Sequence, residues 1–207
     1  MKFKIAILGS TGSIGDHTLD IIRKDRKNFE VVLLTANKNY KKLIKQAKDF
    51  KVKNILIYND KYYEYLKEKL KNKKINIFSR KTKLNKILKK KVDYAICGIS
   101  GLDGLEPTLD IIKFTKTIAS ANKESIICGW YLIEKKLKKY NTKFIPIDSE
   151  HFSIWNLTRE YSNDDIEEII LTASGGPLLN SSIRVQKTIT PEKAVRHPNW
   201  KIYFGHN

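Results

Sequence analysis

Cysteine is scarce in this chain, which has two, Cys97 and Cys128, among 207 residues. Two cysteines make no case for the disulfide framework of a small secreted domain. Each lies in an apolar segment, "YAICG" or "SIICGWYLI", so we expect two buried, reduced thiols. Long apolar runs are also lacking, because the first one, "FKIAILG", breaks at Gly9. It is too short for a membrane span or a signal peptide. We therefore expect a cytoplasmic protein, or a plastid-type organellar one whose transit segment has been removed.

Acidic residues are few: 22 aspartates and glutamates stand against 40 lysines and arginines, which gives a formal net charge of +18. Such an excess suggests a nucleic acid or an anionic membrane as partner. However, the lysines are scattered over predicted helix faces, as in "YKKLIKQAKDFK" and "YLKEKLKNKK". The basic cluster "LNKILKKK" has no interleaved aromatic residues. We therefore expect no specific nucleic-acid partner and no membrane partner.

Strand-like and helix-like segments alternate along the chain. The predicted strands are rich in Ile, Val and Leu: "KIAILG", "FEVVLLTA", "NILIYN", "KINIFS", "DYAICG", "KTIASA" and "KFIPID". Helical patterns lie between them, so the rhythm predicts β-α-β units. The apolar runs are nearly continuous, as expected when both faces of a parallel sheet are covered. The predicted fold is α/β, a doubly wound parallel sheet with helices on both faces.

The first strand runs into "GSTGSIG", where Gly9, Gly12 and Gly15 precede or open a helix. Glycine lets the backbone turn sharply and approach a phosphate, and the new helix offers its N–H groups to the anion. The spacing G-x-x-G-x-x-G is a variant of the dinucleotide-binding fingerprint G-x-G-x-x-G. An ordinary tight turn is the alternative. The motif favours a Rossmann-like, dinucleotide-binding domain.

The end of the second strand indicates which dinucleotide is bound. Sites that prefer NAD carry an acidic residue there, which binds the ribose 2′-hydroxyl. Here the strand continues into Asn37, Lys38 and Asn39, with no carboxylate and with one cation. A 2′-phosphate would be attracted to this position, so the sequence favours NADP, with Lys38 as its charge partner. A solvated turn lysine is the alternative.

The stretch "IPIDSEHF" places two carboxylates, Asp148 and Glu150, around Ser149 after an apolar run. If the strand continues through them, both point to the same side and converge, which requires a positive charge between them. The alternatives are a solvated loop, or a helix capped by Ser149 with an acidic first turn. "SANKES", "LTASGGP" and "HPNW" add further polar groups, most of them at strand ends, where ligands bind in open α/β sheets.

The segments "GSTGSIG", "ANKES", "PIDSEH", "LTASGGP" and "TPEKAVRHPNW", in this order, resemble the 1-deoxy-D-xylulose 5-phosphate reductoisomerase family. The resemblance runs from Met1 to about Trp200. It implies an NADPH-binding Rossmann-like domain at residues 1–143 and an incomplete α+β catalytic domain at residues 144–207. It also implies the conversion of 1-deoxy-D-xylulose 5-phosphate to 2-C-methyl-D-erythritol 4-phosphate, a step of non-mevalonate isoprenoid precursor synthesis, by an oxidoreductase that uses NADPH and a divalent metal.

The resemblance also assigns roles to individual residues. Asp148 and Glu150 would ligate Mg²⁺ or Mn²⁺, with Co²⁺ as a further candidate. Together with the glycine motif, it places the cofactor on Gly9, Thr11, Gly12, Ser13, Ile14, Asn37, Lys38, Asn39, Asn122 and Glu124. The substrate would be bound by Lys123, Ser149, Glu150, Ser174, His197 and Trp200.

The chain departs from the family after Trp200, where it reads "KIYFGHN". A third metal-ligating glutamate and the group that holds the substrate phosphate, both implied by the resemblance, would lie further on. We therefore expect these 207 residues to be the N-terminal part of such an enzyme and to show no turnover alone. The alternative is a truncated, non-catalytic NADPH-binding remnant. The full-length form is expected to be a homodimer.

Overall fold

The structure, a computed structural model, describes residues 1–70, 74–171, 176–194 and 196. Three residues assigned above to the substrate, Ser174, His197 and Trp200, lie outside this part. The chain divides into two compact units, Met1–Glu160 and Tyr161–Asn207. The first unit contains the sheet and the described residues of the candidate site.

Seven strands among the described residues form a parallel sheet in the order β4-β3-β2-β1-β5-β6-β7. The order grows outwards from β1 in both directions, so β1 and β5 flank the point at which it reverses. The predicted doubly wound parallel sheet is confirmed, and each predicted strand is present. The strands are β1 (Phe3–Leu8), β2 (Phe29–Ala36), β3 (Asn54–Ile57), β4 (Asn76–Ser79), β5 (Val92–Cys97), β6 (Thr115–Ser120) and β7 (Lys143–Pro146).

Helices connect successive strands, as parallel pairing requires. Three of them begin at an asparagine whose side chain accepts a hydrogen bond from the backbone of the first turn: Asn39, Asn59 and Asn122. Short 3₁₀ segments, Leu102–Gly104 and Ile112–Phe114, flank the helix Leu105–Ile111. The helices are α1 (Ser13–Lys24), α2 (Tyr40–Asp49), α3 (Asp60–Lys69), α4 (Leu84–Ile87), α5 (Leu105–Ile111), α6 (Lys123–Tyr140) and α7 (Ser149–Thr158).

The two faces of the sheet bury separate apolar clusters. In β1, Ile5 and Ile7 belong to one cluster, whereas Ala6 and Leu8 belong to the other. Successive side chains of a strand point to opposite faces, so a strand covered on both sides must be apolar at every position. This explains why the strands appear in the sequence as continuous apolar runs.

The two cysteines differ in their surroundings. Cys97, at the end of β5, is buried as predicted, whereas Cys128 on α6 is exposed and the prediction for it was wrong. The buried residues of α6 repeat every four positions: Ser125, Gly129, Ile133 and Leu137. Cys128 lies outside this stripe, so its position on the helix turns it towards solvent.

Strand β7 lies at the edge of the sheet, with Phe144 beside Ile118 of β6. Residues on both sides of the predicted domain boundary at 143/144 thus belong to the first compact unit, and that boundary stays a prediction. In the second unit, the described residues form 3₁₀ segments at Asn163–Asp165 and Gly176–Leu178 and the helices α8 (Ile183–Thr188) and α9 (Pro191–Ala194). Within the described residues, none of the helices combines the length and apolar character needed to cross a membrane.

The core assignment predicts a large difference between two leucines. Leu34 in β2 is 0% exposed, whereas Leu157 on α7 is 71% exposed. Leu34→Ala should lower the free energy of unfolding by about 2–5 kcal/mol, because it leaves a cavity in the apolar cluster that contains Ile5 and Ile7. Leu157→Ala should change it by less than about 0.5 kcal/mol. Urea denaturation followed by circular dichroism measures both, and equal losses would contradict the described packing.

Candidate functional site

The glycine-rich turn links β1 to α1. Gly9 has φ +78°, a left-handed conformation that favours glycine. A Cβ at Gly9 would also lie 3.0 Å from the backbone of Gly98, which follows β5. Gly12 occupies the N-cap of α1, and its N–H donates to the Gly9 carbonyl at 3.1 Å. The first N–H groups of α1, including those of Ser13 and Ile14, have no carbonyl of the helix to bond and can bind an anion.

A buried polar network supports this turn from behind. Ser10 is fully buried, and its hydroxyl donates to Oε1 of Gln46 at 2.9 Å. The Gln46 amide in turn donates to the Ser10 carbonyl at 2.8 Å and to Asp16 Oδ1 at 2.9 Å. The Ser10 N–H donates to the carbonyl of Thr35 at 2.8 Å. The polar groups of Ser10 therefore have partners from β2 and α2, as a buried turn requires.

Lys42 of α2 contacts the exposed side of the glycine-rich turn. Its ammonium donates to the Thr11 carbonyl at 3.0 Å and pairs with Asp16. Sequence analysis assigned no role to Lys42 or Gln46. The sequence did contain a signal for Gln46, because this polar residue lies on the buried face of α2, between Leu43 and Ala47.

A cleft of about 870 Å³ opens beside the turn. It lies at the carboxyl ends of the central strands, where the strand order reverses, the position at which open α/β sheets bind ligands. Four residues predicted to bind the cofactor line it: Gly9, Thr11, Gly12 and Asn37. Apolar side chains of Leu8, Leu56, Leu84 and Leu102 contribute further lining. The cleft thus combines apolar surface with the N-terminus of a helix.

The remaining residues predicted near the end of β2 lie next to the cleft. Lys38 is exposed and lies outside the lining. Asn39 caps α2, where its side chain accepts a hydrogen bond from the Lys42 N–H at 3.2 Å. Among the described residues, the cations in the lining are instead Arg80 and Lys81, which follow β4 and to which sequence analysis assigned no role.

Acidic side chains from the segment that contains α5 also line the cleft. Asp103, Glu106 and Asp110 all contribute to the lining. Burial raises the pKa of Asp110, a shift that Lys136 opposes and Glu106 reinforces. Burial also raises the pKa of Tyr58, so its phenol stays protonated at neutral pH. A ligand in this cleft therefore meets both cations and carboxylates.

Asn122 joins the loop after β5 to the start of α6. Its side chain is 2% exposed, and its Oδ1 accepts a hydrogen bond from the Ser125 N–H at 2.7 Å. Its Nδ2 donates to the carbonyls of Ile99 and Gly101, the latter at 2.7 Å. These bonds occupy both ends of the amide and fix the position of α6, whose first residues are Lys123 and Glu124.

The carboxylates of Asp148 and Glu150 do not lie on a continuing strand. β7 ends at Pro146, and Asp148 stands at the N-cap of α7 with extended backbone, φ −75° and ψ 154°. Its Oδ1 accepts the His151 N–H at 3.1 Å and lies 2.6 Å from His151 Nδ1. The helical alternative is therefore confirmed, except that the cap is Asp148 rather than Ser149. A carboxylate that accepts a free N–H favours helix initiation here.

The two carboxylates nevertheless provide oxygen atoms suited to a hard cation. The Asp148 side chain is 8% exposed, and its Oδ2 is buried without a hydrogen-bond partner among the described residues. Glu150 is partly exposed, and its own N–H, the Ser149 hydroxyl and Lys123 together lower its pKa to about 2. Asp148 and Glu150 are two residues apart, and both lie at the start of α7. Among the described residues, no cluster of three or more His, Cys, Asp or Glu side chains surrounds a metal position.

Lys123 connects the start of α6, where residues were predicted to bind the cofactor, with the start of α7, where residues were predicted to bind the metal. Its ammonium lies 3.3 Å from Glu150 Oε1, so the first residues of α6 and α7 are in contact. The Ser149 hydroxyl lies 3.0 Å from Glu150 Oε2. The structure therefore brings together three of the residues predicted to bind the substrate.

Comparison with known proteins agrees with this geometry. The sequence model of the 1-deoxy-D-xylulose 5-phosphate reductoisomerase family matches residues 5–129, and that of the family's C-terminal domain matches residues 144–205. The chain belongs to the 1-deoxy-D-xylulose 5-phosphate reductoisomerase family. The resemblance inferred from the sequence motifs is thereby confirmed.

Individual relatives show how much of the family's length is present. The reductoisomerase of Pelagibacter ubique (strain HTCC1062) is 56% identical over 201 residues, which are 96% of this chain and 52% of that protein. The Zymomonas mobilis reductoisomerase, solved in complex with NADPH, is 35% identical with a TM-score of 0.82 and covers 96% of this chain and 52% of its own. A reductoisomerase structure with NADPH, fosmidomycin and magnesium is 33% identical with a TM-score of 0.78, covering 98% and 52%. The chain spans about half the length of the relatives it matches.

The packing behind the glycine-rich turn predicts different tolerances for two of its glycines. A Cβ at Gly15 would lie 2.5 Å from the carbonyl carbon of Ser10, so Gly15→Ala should lower the free energy of unfolding by about 3 kcal/mol. The nearest atom to a Cβ at Gly12 is the Gly9 oxygen at 3.4 Å, an ordinary contact. Gly12→Ala should therefore change stability by less than about 1 kcal/mol. Urea denaturation of both variants tests this, and a stable Gly15→Ala protein would contradict the described turn.

Proposed function

We propose that this chain supplies the cofactor-binding part, and part of the metal and substrate site, of a 1-deoxy-D-xylulose 5-phosphate reductoisomerase. The reaction is the NADPH-dependent conversion of 1-deoxy-D-xylulose 5-phosphate to 2-C-methyl-D-erythritol 4-phosphate. The observation that carries the proposal is the cleft of about 870 Å³ beside the glycine-rich turn, in a chain that belongs to this family. Because the chain spans about half of its relatives, the activity is assigned to the whole protein.

NADPH is the proposed cofactor, and its phosphates lie at the glycine-rich turn. The N–H groups at the start of α1 would bind the pyrophosphate, with Thr11, Gly12, Ser13 and Ile14 as contacts. The 2′-phosphate would lie near Asn37, Lys38 and Asn39, which follow β2. The relative from Zymomonas mobilis was solved with NADPH, which supports this choice. Asn122 and Glu124 are proposed as further contacts of the cofactor.

A divalent cation, Mg²⁺ or Mn²⁺, is the proposed metal, with Co²⁺ as a further candidate. The buried Oδ2 of Asp148 without a partner among the described residues fits a cation, because such an oxygen is costly to bury alone. Glu150 is ionised at neutral pH because its pKa is lowered to about 2. Magnesium in structures of relatives supports the assignment. When bound, the metal would polarise the carbonyl of the substrate.

The chain's own residues would orient the substrate next to these two groups. Lys123 and Ser149, which lie on either side of Glu150, can donate hydrogen bonds to substrate oxygens. Ser174 would hold the substrate phosphate, and His197 and Trp200 would cover the substrate and exclude water. The fosmidomycin complexes of relatives support a small-molecule site of this kind.

Three wider assignments complete the proposal. The domains are residues 1–143, which bind NADPH, and residues 144–207, which begin the catalytic domain. The two free thiols favour a reducing compartment, for which we propose the cytoplasm. The whole protein is proposed to be a homodimer.

The cofactor assignment predicts a preference for NADPH over NADH. A lost charge-assisted contact to the 2′-phosphate costs about 1.5–3 kcal/mol, so NADPH should bind at least about tenfold more tightly. Lys38→Ala should reduce this preference without abolishing binding. Titration of cofactor fluorescence measures both affinities in the purified chain. Lys113→Ala is the control, because Lys113 lies outside the cleft lining and directly before β6, at the amino-terminal end of that strand. Equal affinities for the two cofactors would contradict the assignment.

The metal assignment predicts that Mn²⁺ binding depends on Asp148. Asp148→Asn keeps a side-chain oxygen that can cap α7, so the fold should be preserved while the charge is lost. Mn²⁺ binding to the chain is expected to be weak, because two carboxylates leave several positions to water, and the variant should weaken it by at least about tenfold. Electron paramagnetic resonance of free Mn²⁺ measures the change. Asp164→Asn, an exposed carboxylate in the second unit, is the control. Unchanged titrations in Asp148→Asn would leave Asp148 as a helix cap alone.

A further inference from the structure

The cations that line the cleft come from the end of β4, a position that the family motifs do not assign. Arg80 and Lys81 directly follow Ser79, the last residue of that strand, and both line the cleft. We propose that Arg80 and Lys81 form a cationic wall at the end of β4 that binds the 2′-phosphate of NADPH, in addition to the residues that follow β2. The inference rests on the proposed function and concerns the residues that select NADPH over NADH.

The register of the sheet places Arg80 within reach of that phosphate. Ala36 of β2 pairs with Ile57 of β3, which pairs with Ser79 of β4. The next residues in the three strands are Asn37, Tyr58 and Arg80, so they form the following row. The Tyr58 N–H donates to the Ala36 carbonyl at 2.9 Å, which shows that the β2–β3 pairing extends beyond the strands.

Adjacent strands lie about 4.8 Å apart, so Asn37 and Arg80 are separated by two spacings, or about 10 Å. A phosphate bound between these two positions is within the length of an arginine side chain. Tyr58 stands between them and lines the same cleft.

The face of the sheet also favours Arg80. Leu56 and Phe78 contribute to the apolar cluster that contains Ala6 and Leu8, on the face of the sheet where the cleft opens. Side chains two residues further along a strand return to the same face, which brings Tyr58 and Arg80 to the cleft side. This alternation explains why a residue beyond β4 lines a cleft whose other end is at the glycine-rich turn.

The charges of the cleft determine where a phosphate can lie. Asp103, Glu106 and Asp110 line the wall formed by the segment around α5, and they would repel a dianion. Arg80 and Lys81 are the compensating charges in the lining among the described residues. The phosphate of a nucleotide is therefore attracted towards Arg80 and Lys81, at the end of β4.

Arg80 is also available for a new partner. Its Nη2 lies 3.8 Å from Asp60, and both side chains are more than half exposed, at 61% and 53%. Exposed ion pairs at such distances contribute little, so a phosphate can replace Asp60. The guanidinium presents parallel N–H donors that match phosphate oxygens, and lysine adds a point charge.

The test separates the 2′-phosphate from the rest of the cofactor. The double variant Arg80→Ala with Lys81→Ala is compared with the unaltered chain and with Lys83→Ala. Lys83 is exposed, two residues from Lys81 and outside the lining, so it controls for general charge. Affinities for NADPH and NADH come from fluorescence titration. Calorimetry with adenosine 2′,5′-bisphosphate and adenosine 5′-monophosphate gives the same comparison without the nicotinamide.

The double variant should bind NADPH and adenosine 2′,5′-bisphosphate at least about tenfold more weakly, because two phosphate contacts are lost. Its affinity for NADH and adenosine 5′-monophosphate should stay within about twofold of the unaltered chain, as should all affinities of Lys83→Ala. The variant Arg80→Lys keeps the positive charge, so it should retain more of the preference for NADPH over NADH than the double variant does. Circular dichroism checks that each variant retains the fold.

Two outcomes would overturn the inference in different ways. If the unaltered chain prefers NADPH and the double variant keeps that preference, the wall at β4 has no role and the proposed function stands. An equal loss for NADPH and NADH would also reject a role in 2′-phosphate selection. If the unaltered chain binds neither NADPH nor adenosine 2′,5′-bisphosphate, the proposed function itself fails, and this inference fails with it.

Discussion

The candidate site depends on a glycine-rich turn that is closely packed at Gly15 and that buries the polar groups of Ser10. Gly15 brings α1 against the backbone of Ser10, and the polar groups of Ser10 are satisfied by Gln46 and by Thr35. Burying these groups without partners would cost several kcal/mol, on the order of the stability of many domains. The amide of Gln46 therefore holds in place the helix terminus that would bind the cofactor phosphates.

The architecture and the location of the site could be predicted from the sequence because both follow from local patterns. Continuous Ile, Val and Leu runs separated by amphipathic segments permit few arrangements other than a parallel sheet covered on both faces. In such a sheet the carboxyl ends of the strands share one edge, so polar motifs that follow strands are expected to meet. The contact between Lys123 and Glu150 shows this convergence for two motifs that are 27 residues apart.

The features that the sequence did not reveal depend on contacts between distant segments or on the hydrogen bonds of a single side chain. Whether β7 continues through Asp148 depends on whether that carboxylate caps a helix, and four residues are too few for periodicity to decide. Cys128 occupies an apolar segment, but the kinked helix α6 buries a different stripe. The location of Arg80 in the cleft follows from the register of three strands, which no local pattern reports.

The cofactor cleft and the carboxylate pair are physically connected through the start of α6. The Asn122 amide bonds the loop after β5, which borders the cleft, and caps α6 at the same time. The next residue, Lys123, contacts Glu150 at the start of α7. A ligand that shifts the loop after β5 would therefore move the cap of α6 and, with it, the ammonium beside Glu150. Since the amide of Asn122 is buried and fully bonded, such a shift requires the loop and the helix to move together.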